Sequence, residues 1–219
     1  MVRQGDRVTD DVRSTSAGSA QKRRPRGSYA KSVDTQEAIL DAALGVFAQN
    51  GFRSGSLREI AQRVGISEAG LLHHFESKAR LLAAVLDRRD ELARAIVPST
   101  SEDGVKTLRG LIALARFNAS EPAVVELFCT LSAEATSAAH PAHAYFIRRY
   151  ETVRATVFAA FSDLEGRGLL RSGVTPDGAS RATIAIMDGL QIQWLLDRGL
   201  MDMAEDLHTF LGTLTSADL

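Results

Sequence analysis

The chain has 219 residues, of which 45% are hydrophobic and 24% charged, and its net charge is −1. These values predict a globular protein with one large or two small domains, while the single cysteine, Cys129, excludes a disulfide framework or a multi-cysteine zinc site within one chain. No stretch approaches the roughly 18 consecutive apolar residues of a membrane span, and the first residues carry no apolar secretory signal, so we expect a cytoplasmic protein that does not enter a membrane.

The near-neutral total conceals an uneven distribution of charge. Residues 1–96 contain 16 Lys and Arg against 12 Asp and Glu, whereas residues 97–219 contain 10 against 15. A basic first half and an acidic second half favour a molecule whose front faces phosphates.

Residues 1–33 contain few large apolar side chains and are rich in Ser, Thr, Gly, Asp and Arg. Such a segment cannot bury enough surface to offset the entropy of ordering it, so the sequence predicts a disordered arm. The arm contains a basic run that either keeps the chain soluble or reaches DNA, formed by Lys22, Arg23, Arg24 and Arg26.

The first predicted helix begins near Asp34, where Asp34 and Glu37 have the spacing of a capping box, although Thr35 is an alternative cap. Apolar residues then recur on one helical face. The helix should end at Gly51 in the left-handed conformation that glycine adopts at low cost.

Three further helices follow in the first half of the chain. Ser56 begins a helix over residues 57–64, and a three-residue turn over 65–67 leads to a second short helix that ends near Phe75. Ser77 begins a longer helix that carries an apolar stripe to Ile96.

The remainder of the chain keeps a helical pattern to its end. Helices are predicted near residues 104–119, 121–139, 142–168, 177–198 and 203–215, with Pro122, Pro141 and Pro176 each in a first turn. No run alternates polar and apolar residues for long enough to predict a strand. The fold should be all-α.

Residues 57–74 have the composition of a helix-turn-helix. Ala61 is small enough for a close crossing of two helices, Gly65 suits a turn with a positive φ, and the pair is held by the apolar residues Ile60, Val64, Ile66 and Leu71. The alternative is two ordinary amphipathic helices of a bundle. We disfavour it because a helix of about eight residues rarely sustains itself.

Two segments, Thr35–Phe52 and Ser56–Leu82, resemble the first helix and the helix-turn-helix of tetracycline-repressor (TetR) family regulators. The resemblance covers about 48 residues. It implies an N-terminal three-helix DNA-binding head over residues 34–78 and a C-terminal helical-bundle body over 79–219. The body would bind a small-molecule effector of unknown identity and form a homodimer, and no cofactor or metal is implied.

The resemblance also implies which side chains contact operator DNA. Ser56 and Lys78 would bind phosphate, and the second short helix would present Glu68, Ala69, Gly70, His73 and His74 to the groove or its backbone. Family members often carry a tyrosine where this chain has Leu72. Because that helix also lacks Arg, Lys, Asn and Gln, much of the affinity should come from phosphates and the basic arm.

Eight residues of the second half are candidates for a ligand pocket, although core packing is the default interpretation of each aromatic residue. They are Arg116, Phe117, Asn118, Phe128, Glu134, Asp188, Gln191 and Trp194. The last long helices are apolar on more than one face, which predicts a four-helix dimer interface with a close approach at Gly189.

An enzyme is the rival class of function. Glu205 and His208 have the Glu-x-x-His spacing of di-metal bundles, but those bundles need a second such pair and the sequence has none. His140 and His143 also have a metal-compatible spacing, but without an obvious third ligand. We therefore predict a ligand-released repressor that is not an enzyme, and a ligand-dependent activator is the alternative within the regulator class.

Overall fold

The computed structural model describes residues 26–98 and 103–219, with side chains from residue 32 onward. Within these residues there are nine helices and no strand, apart from one antiparallel bridge between Leu170 and Thr215. The helices are α1 (Arg26–Ser54), α2 (Leu57–Val64), α3 (Glu68–Phe75), α4 (Lys78–Ile96), α5 (Gly104–Ser120), α6 (Pro122–Glu134), α7 (His143–Gly166), α8 (Pro176–Leu196) and α9 (Met203–Gly212). The all-α prediction is confirmed.

Helix α1 is longer than predicted, because it begins at Arg26 rather than near Asp34. Asp34 therefore lies inside the helix and does not cap it. No proline follows Pro25 in this stretch, so nothing in the sequence stops a helix from extending beyond its buried part. Lys22, Arg23 and Arg24 lie outside the described residues, whereas Arg26 is the first residue of α1.

The end of α1 depends on a glycine. Gly51 has φ 67° and ψ −177°, which interrupts the helical backbone, and Gly55 N–H then donates to the Gly51 carbonyl. A side chain at Gly51 would be strained by the positive φ. The positive φ is as predicted, but ψ −177° lies outside the left-handed helical region and helical residues continue to Ser54, so Gly51 kinks the end of α1 and does not terminate it.

Three serines begin the helices that follow, as predicted. The hydroxyl oxygens of Ser56, Ser67 and Ser77 accept hydrogen bonds from the N–H groups of Glu59, Gly70 and Arg80, at 3.4, 3.0 and 3.2 Å. Each serine thereby satisfies an N–H group that the first helical turn leaves without a partner. The predicted bounds of α2, α3 and α4 are confirmed.

Helix α6 ends earlier than predicted, at Glu134 rather than residue 139. The next residues form a series of turns in which Thr136 N–H bonds to Ala133 and Ser137 N–H to Glu134. The Thr136 hydroxyl also donates to the Ala133 carbonyl, which is how Ser and Thr compete with helical bonding. Pro141 lies in these turns rather than in a first helical turn, whereas Pro122 and Pro176 begin α6 and α8 as predicted.

Two hydrophobic clusters form the core. The first joins α1–α4 to residues of α6 and α7, and includes Phe47, Ile60, Leu71, Leu131 and Phe146. The second lies among α5, α7, α8 and α9. Among the described residues, none of the helices combines the length and the apolar character that a membrane crossing requires.

The packing of α5 against α7 predicts a difference between two glycines. A methyl group on Gly104 would lie 2.2 Å from the carbonyl oxygen of Ala160, whereas one on Gly166 would meet nothing within 4 Å. We expect Gly104→Ala to destabilise the fold by about 1–3 kcal/mol, because backbone atoms must move apart. The measurement is the free energy of unfolding in urea, with Gly166→Ala as the control. Equal unfolding midpoints for the two variants would contradict this packing.

Candidate DNA-contacting surface and ligand cavity

Ala61 of α2 is buried in the first hydrophobic cluster, together with Ile60 of α2 and Leu71 of α3. Gly65 adopts the left-handed conformation, with φ 75° and ψ 29°, and its N–H and that of Ile66 close the end of α2. The predicted turn and apolar contacts are confirmed. The two helices form a helix-turn-helix in which one face of α3 remains open.

That open face carries Glu68, Ala69 and His73, which are all exposed, while Gly70 and His74 are half-buried. The Gly70 N–H donates to the Ser67 hydroxyl oxygen, and a methyl group on Gly70 would lie 3.3 Å from that oxygen. The ring centroids of His73 and His74 lie 6.0 Å apart. These five residues remain the predicted groove-facing set.

Lys78 is held by the protein at the start of α4. Its ammonium donates to the carbonyl oxygen of Arg53 at 3.1 Å and lies 4.8 Å from the centroid of the Phe52 ring. Burial lowers the pKa of Lys78, and the nearby Glu134 carboxylate partly opposes that shift. Because an ammonium has three donors, two remain for the predicted phosphate contact.

Three exposed arginines near the helix ends were missed by the sequence analysis. Arg53 ends α1, Arg58 follows Ser56 in the first turn of α2, and Arg80 follows Ser77 in the first turn of α4. Their closeness in sequence to the capping serines was a usable signal, because helix N-termini and basic side chains both favour phosphate.

Glu134 connects the end of α6 to the end of α1, and so does not line the cavity for which it was predicted. Its carboxylate accepts a hydrogen bond from Phe52 N–H at 2.9 Å. Nearby, the Thr130 hydroxyl donates to the Ala48 carbonyl at 3.3 Å, and the Phe52 and His140 rings meet edge to face at 5.3 Å. We call Phe52, Lys78, Thr130, Glu134 and His140 the head–body junction.

A cavity of about 470 Å³ lies between α4, α5, α6, α7 and α8. Four of the eight predicted pocket residues line it, namely Asn118, Phe128, Asp188 and Gln191. Arg116 is instead exposed, because it lies on the face of α5 opposite to its buried stripe. Phe117 and Trp194 pack into the second hydrophobic cluster, and the Arg198 guanidinium covers the Trp194 ring.

The sequence analysis missed the charged group at the centre of the cavity wall. Asp90 accepts hydrogen bonds from Tyr145 at 2.8 Å, from Arg89 at 3.4 Å and from Arg149. Burial raises the pKa of Asp90, although the hydrogen bond from Tyr145 and the charges of Arg89 and Arg94 oppose the shift. Arg89 and Arg149 also lie over the Phe128 ring, at 4.6 and 5.0 Å from its centroid.

A second carboxylate, Asp188, faces the same cavity. It accepts a hydrogen bond from the Tyr150 hydroxyl at 2.8 Å, and burial raises the pKa of its carboxyl group.

Arg89 was visible in the sequence as a charge that continues the apolar stripe of α4 after Leu82, Val85 and Leu86. The contact of Arg89 with Phe128, and those of Asp90 with Tyr145 and Arg149, were not visible, because these partners come from other helices.

The two histidines with the His-x-x-His spacing, His140 and His143, make hydrogen bonds to the backbone of this chain. His140 Nδ1 accepts from Ala142 N–H at 3.2 Å, and its Nε2 lies 3.2 Å from Glu134 without the alignment of a hydrogen bond. His143 Nδ1 donates to the Ala135 carbonyl at 2.7 Å. In the described residues, no three His, Cys, Asp or Glu side chains are grouped to hold a metal ion.

Comparison with known proteins gives two family matches. Residues 39–85 match "Bacterial regulatory proteins, tetR family", and residues 106–215 match "BetI-type transcriptional repressor, C-terminal". The chain is 26% identical over 199 residues to the HTH-type transcriptional regulator TtgR of Pseudomonas putida, covering 82% of this chain and 89% of TtgR. It is 31% identical over 83 residues to the HTH-type transcriptional repressor AcnR of Corynebacterium efficiens, covering 37% and 43%.

Two solved structures illustrate the shared fold. NalD, the secondary repressor of the MexAB-OprM multidrug efflux pump in Pseudomonas aeruginosa, has a TM-score of 0.62 and 24% identity, covering 85% of this chain and 100% of NalD. SmeT, the repressor of the Stenotrophomonas maltophilia multidrug efflux pump SmeDEF, was solved in complex with triclosan. That complex has a TM-score of 0.66 and 22% identity, covering 84% of this chain and 92% of SmeT.

The charged group around Asp90 predicts an effect on stability. Asp90→Asn should destabilise the fold by about 2 kcal/mol, because it leaves the buried Arg89 and Arg149 guanidinium groups without their carboxylate. Unfolding in urea measures the change. Asp218→Asn is the control, since Asp218 pairs with Arg109 on the surface at 3.3 Å and its side chain is fully exposed. An Asp90 variant as stable as the Asp218 variant would show that the group contributes nothing.

Proposed function

The chain belongs to the TetR family of bacterial transcriptional regulators, and from this premise we propose that it is a homodimeric repressor that leaves its operator when a small molecule occupies the cavity. As a regulator that binds DNA in a sequence-specific manner, it is not an enzyme. Its place of action would be the cytoplasm, where its operator lies.

One observation carries the proposal: α4 belongs to both sites. Its first residue, Lys78, lies against the end of α1 beside the helix-turn-helix, and Arg89 and Asp90, three turns later, line the cavity. A ligand that displaces Arg89 or Asp90 therefore acts on the helix that positions the DNA-reading head. By reciprocity, operator DNA must weaken ligand binding by the same factor.

The cavity fits a small molecule in size and chemistry. Ligand sites commonly occupy about 300–1,000 Å³ and combine an apolar wall with a few polar groups. This cavity has a volume of about 470 Å³, and both aliphatic residues and the charged group around Asp90 line it. Triclosan bound to SmeT, a protein of the same fold, is consistent with such a role.

On the DNA side, we propose that α3 enters the major groove with Glu68, Ala69 and His73 foremost. Gly70 and His74 lie beside them, and Ser56 and Lys78 bind phosphates on either side. The basic residues Lys22, Arg23, Arg24 and Arg26 would add phosphate or minor-groove contacts, since α3 has no side chain capable of the best bidentate base contacts.

A gel-shift experiment on the DNA upstream of the protein's own gene tests this function. We expect a specific complex that Ala69→Asp weakens roughly 10- to 100-fold, because a carboxylate would then meet the groove. Ala113→Asp adds the same charge to an exposed alanine of α5 and should leave binding unchanged. Failure of the wild-type chain to prefer any segment over random DNA would refute the function.

The proposed dimer surface lies on α7 and α8. Ile147 and Phe158 are exposed on α7, and Ile192 and Leu196 are 53% and 83% exposed on α8. On α8 they continue the line of Ala185 and Gly189, four residues apart, so one apolar stripe faces outward. Two copies of this pair of helices would form a four-helix interface around a two-fold axis.

Gly189 allows a clean test of this surface. A side chain there meets nothing within 4 Å in the single chain, so Gly189→Arg should fold normally but prevent a second copy from approaching. Light scattering should give the mass of one chain, 23.6 kDa, for this variant and twice that mass for the wild type. Operator binding should be lost together with the dimer.

Gly212→Arg is the matched control, because Gly212 on α9 also has open space around it. It should remain dimeric and bind operator. A wild-type chain that is monomeric at micromolar concentration would exclude the proposed interface.

A further inference from the structure

Three polar side chains in the cavity wall are buried and lack sufficient hydrogen-bond partners. Arg89 is 6% exposed, Asn118 3% and Gln191 6%. The only hydrogen bond of the Arg89 guanidinium to the described residues is the 3.4 Å bond to Asp90, although the group has five donors. The side-chain amides of Asn118 and Gln191 make none to that part of the chain. In the described residues the one fully buried side-chain atom without a partner is His140 Nε2, so the free polar atoms of these three side chains are open to the cavity, where water or a ligand supplies their partners.

The acidic side chains that line the cavity are better paired than the Arg89 guanidinium. Asp90 already accepts bonds from Arg89, Arg149 and Tyr145, and Asp188 accepts one from Tyr150. Burial raises the pKa of both carboxyl groups, because it disfavours their charged forms. A guanidinium cannot lose its charge at any pH the protein meets. Arg89 is therefore the charge that most needs an anion.

Much of the rest of the wall is apolar, although Asp87, Arg94, Arg148, Thr152 and Thr156 also line it. Arg89 lies on the Phe128 ring, and aliphatic side chains surround the remaining space, among them Leu111, Leu114, Val157 and Ile184. Asn118 and Gln191 come from α5 and α8, on elements other than the α4 that carries Arg89. A molecule that satisfies all three must therefore have an apolar body with polar groups at more than one position.

We propose that the cavity binds an amphipathic organic anion whose carboxylate, or an equivalent group, pairs with Arg89. A second hydrogen-bonding group of the same molecule contacts Asn118 and Gln191. The inference deepens the proposed function by giving the chemical class of the effector, and it rests on that function only for the effect on DNA.

Four compounds that share a naphthalene ring test the proposed chemical class of the ligand without any protein variant. They are 6-hydroxy-2-naphthoate, its uncharged carboxamide, the corresponding aminomethyl cation, and 2-naphthoate, which lacks the hydroxyl group. By calorimetry on the full chain without DNA, the hydroxy acid should bind at least roughly tenfold more tightly than the amide or the cation, as expected for a charge-assisted hydrogen bond. It should also bind a few-fold more tightly than 2-naphthoate.

Two variants assign the contacts. Arg89→Met keeps the length of the side chain and should reduce the preference for acid over amide to about one. Gln191→Leu should remove the preference for the hydroxyl group and leave the acid preference intact. Arg116→Met, an exposed arginine outside the cavity, should change neither ratio.

The outcomes separate this inference from the proposed function. Preference for the cation or the amide, or no binding of any of the four compounds at millimolar concentration, would overturn the inference. Such results would leave operator binding untouched. Preference for the hydroxy acid supports the inference even if the chain fails to bind DNA, and that failure would refute the proposed function alone.

Discussion

The carboxylate of Glu134 holds the DNA-reading head to the body, and the relation between the two sites depends on it. It accepts the N–H of Phe52 immediately after Gly51, whose positive φ turns the chain toward the helix-turn-helix. A methyl group on Gly51 would lie 2.2 Å from the Glu134 Oε1 atom, so a side chain there would require this carboxylate to move and would also be strained by the positive φ. The end of α1 and the end of α6 are therefore fixed to each other.

Helix α6 joins this junction to the cavity. Phe128, which carries two guanidinium groups on its ring, precedes Glu134 by less than two turns of the same helix. Helix α4 also connects the junction to the cavity, because Lys78 belongs to the head–body junction and Arg89 lines the cavity. Because a packed core moves in discrete steps rather than deforming smoothly, the proposed release from DNA would need a rearrangement at Phe128 or Arg89 to pass to the head through these two helices.

The head was the most predictable part of the molecule because its signals are local. Ser56, Ser67 and Ser77 cap helices through bonds to N–H groups three residues away, and Gly65 needs only its own φ, so neighbouring residues suffice to locate them. The beginning of α1 was mistaken for the opposite reason. A capping pattern at Asp34 has no effect when the preceding residues already continue the helix.

The residues that line the cavity were only partly predictable from the sequence. Asn118 and Gln191 are polar residues on otherwise apolar helices, a pattern visible along the sequence, and both line it. Glu134 has the same pattern but serves the junction, and only the three-dimensional arrangement distinguishes the two roles. The group of Arg89, Asp90 and Arg149 depends on contacts between residues about 59 positions apart, which no single-helix pattern contains.

The length of α1 also bears on the DNA that surrounds an operator. Thirteen positions separate Arg26 from Ile39, the first buried residue of the helix, and at 1.5 Å per residue this is roughly 20 Å. In the sequence, Lys22, Arg23 and Arg24 precede this rod-like stretch of α1. At 3.4 Å per base pair the rod corresponds to about six base pairs of duplex. If these basic residues contact DNA as proposed, flanking sequence beyond each half-site, and its groove width, would influence affinity without any contact from α3.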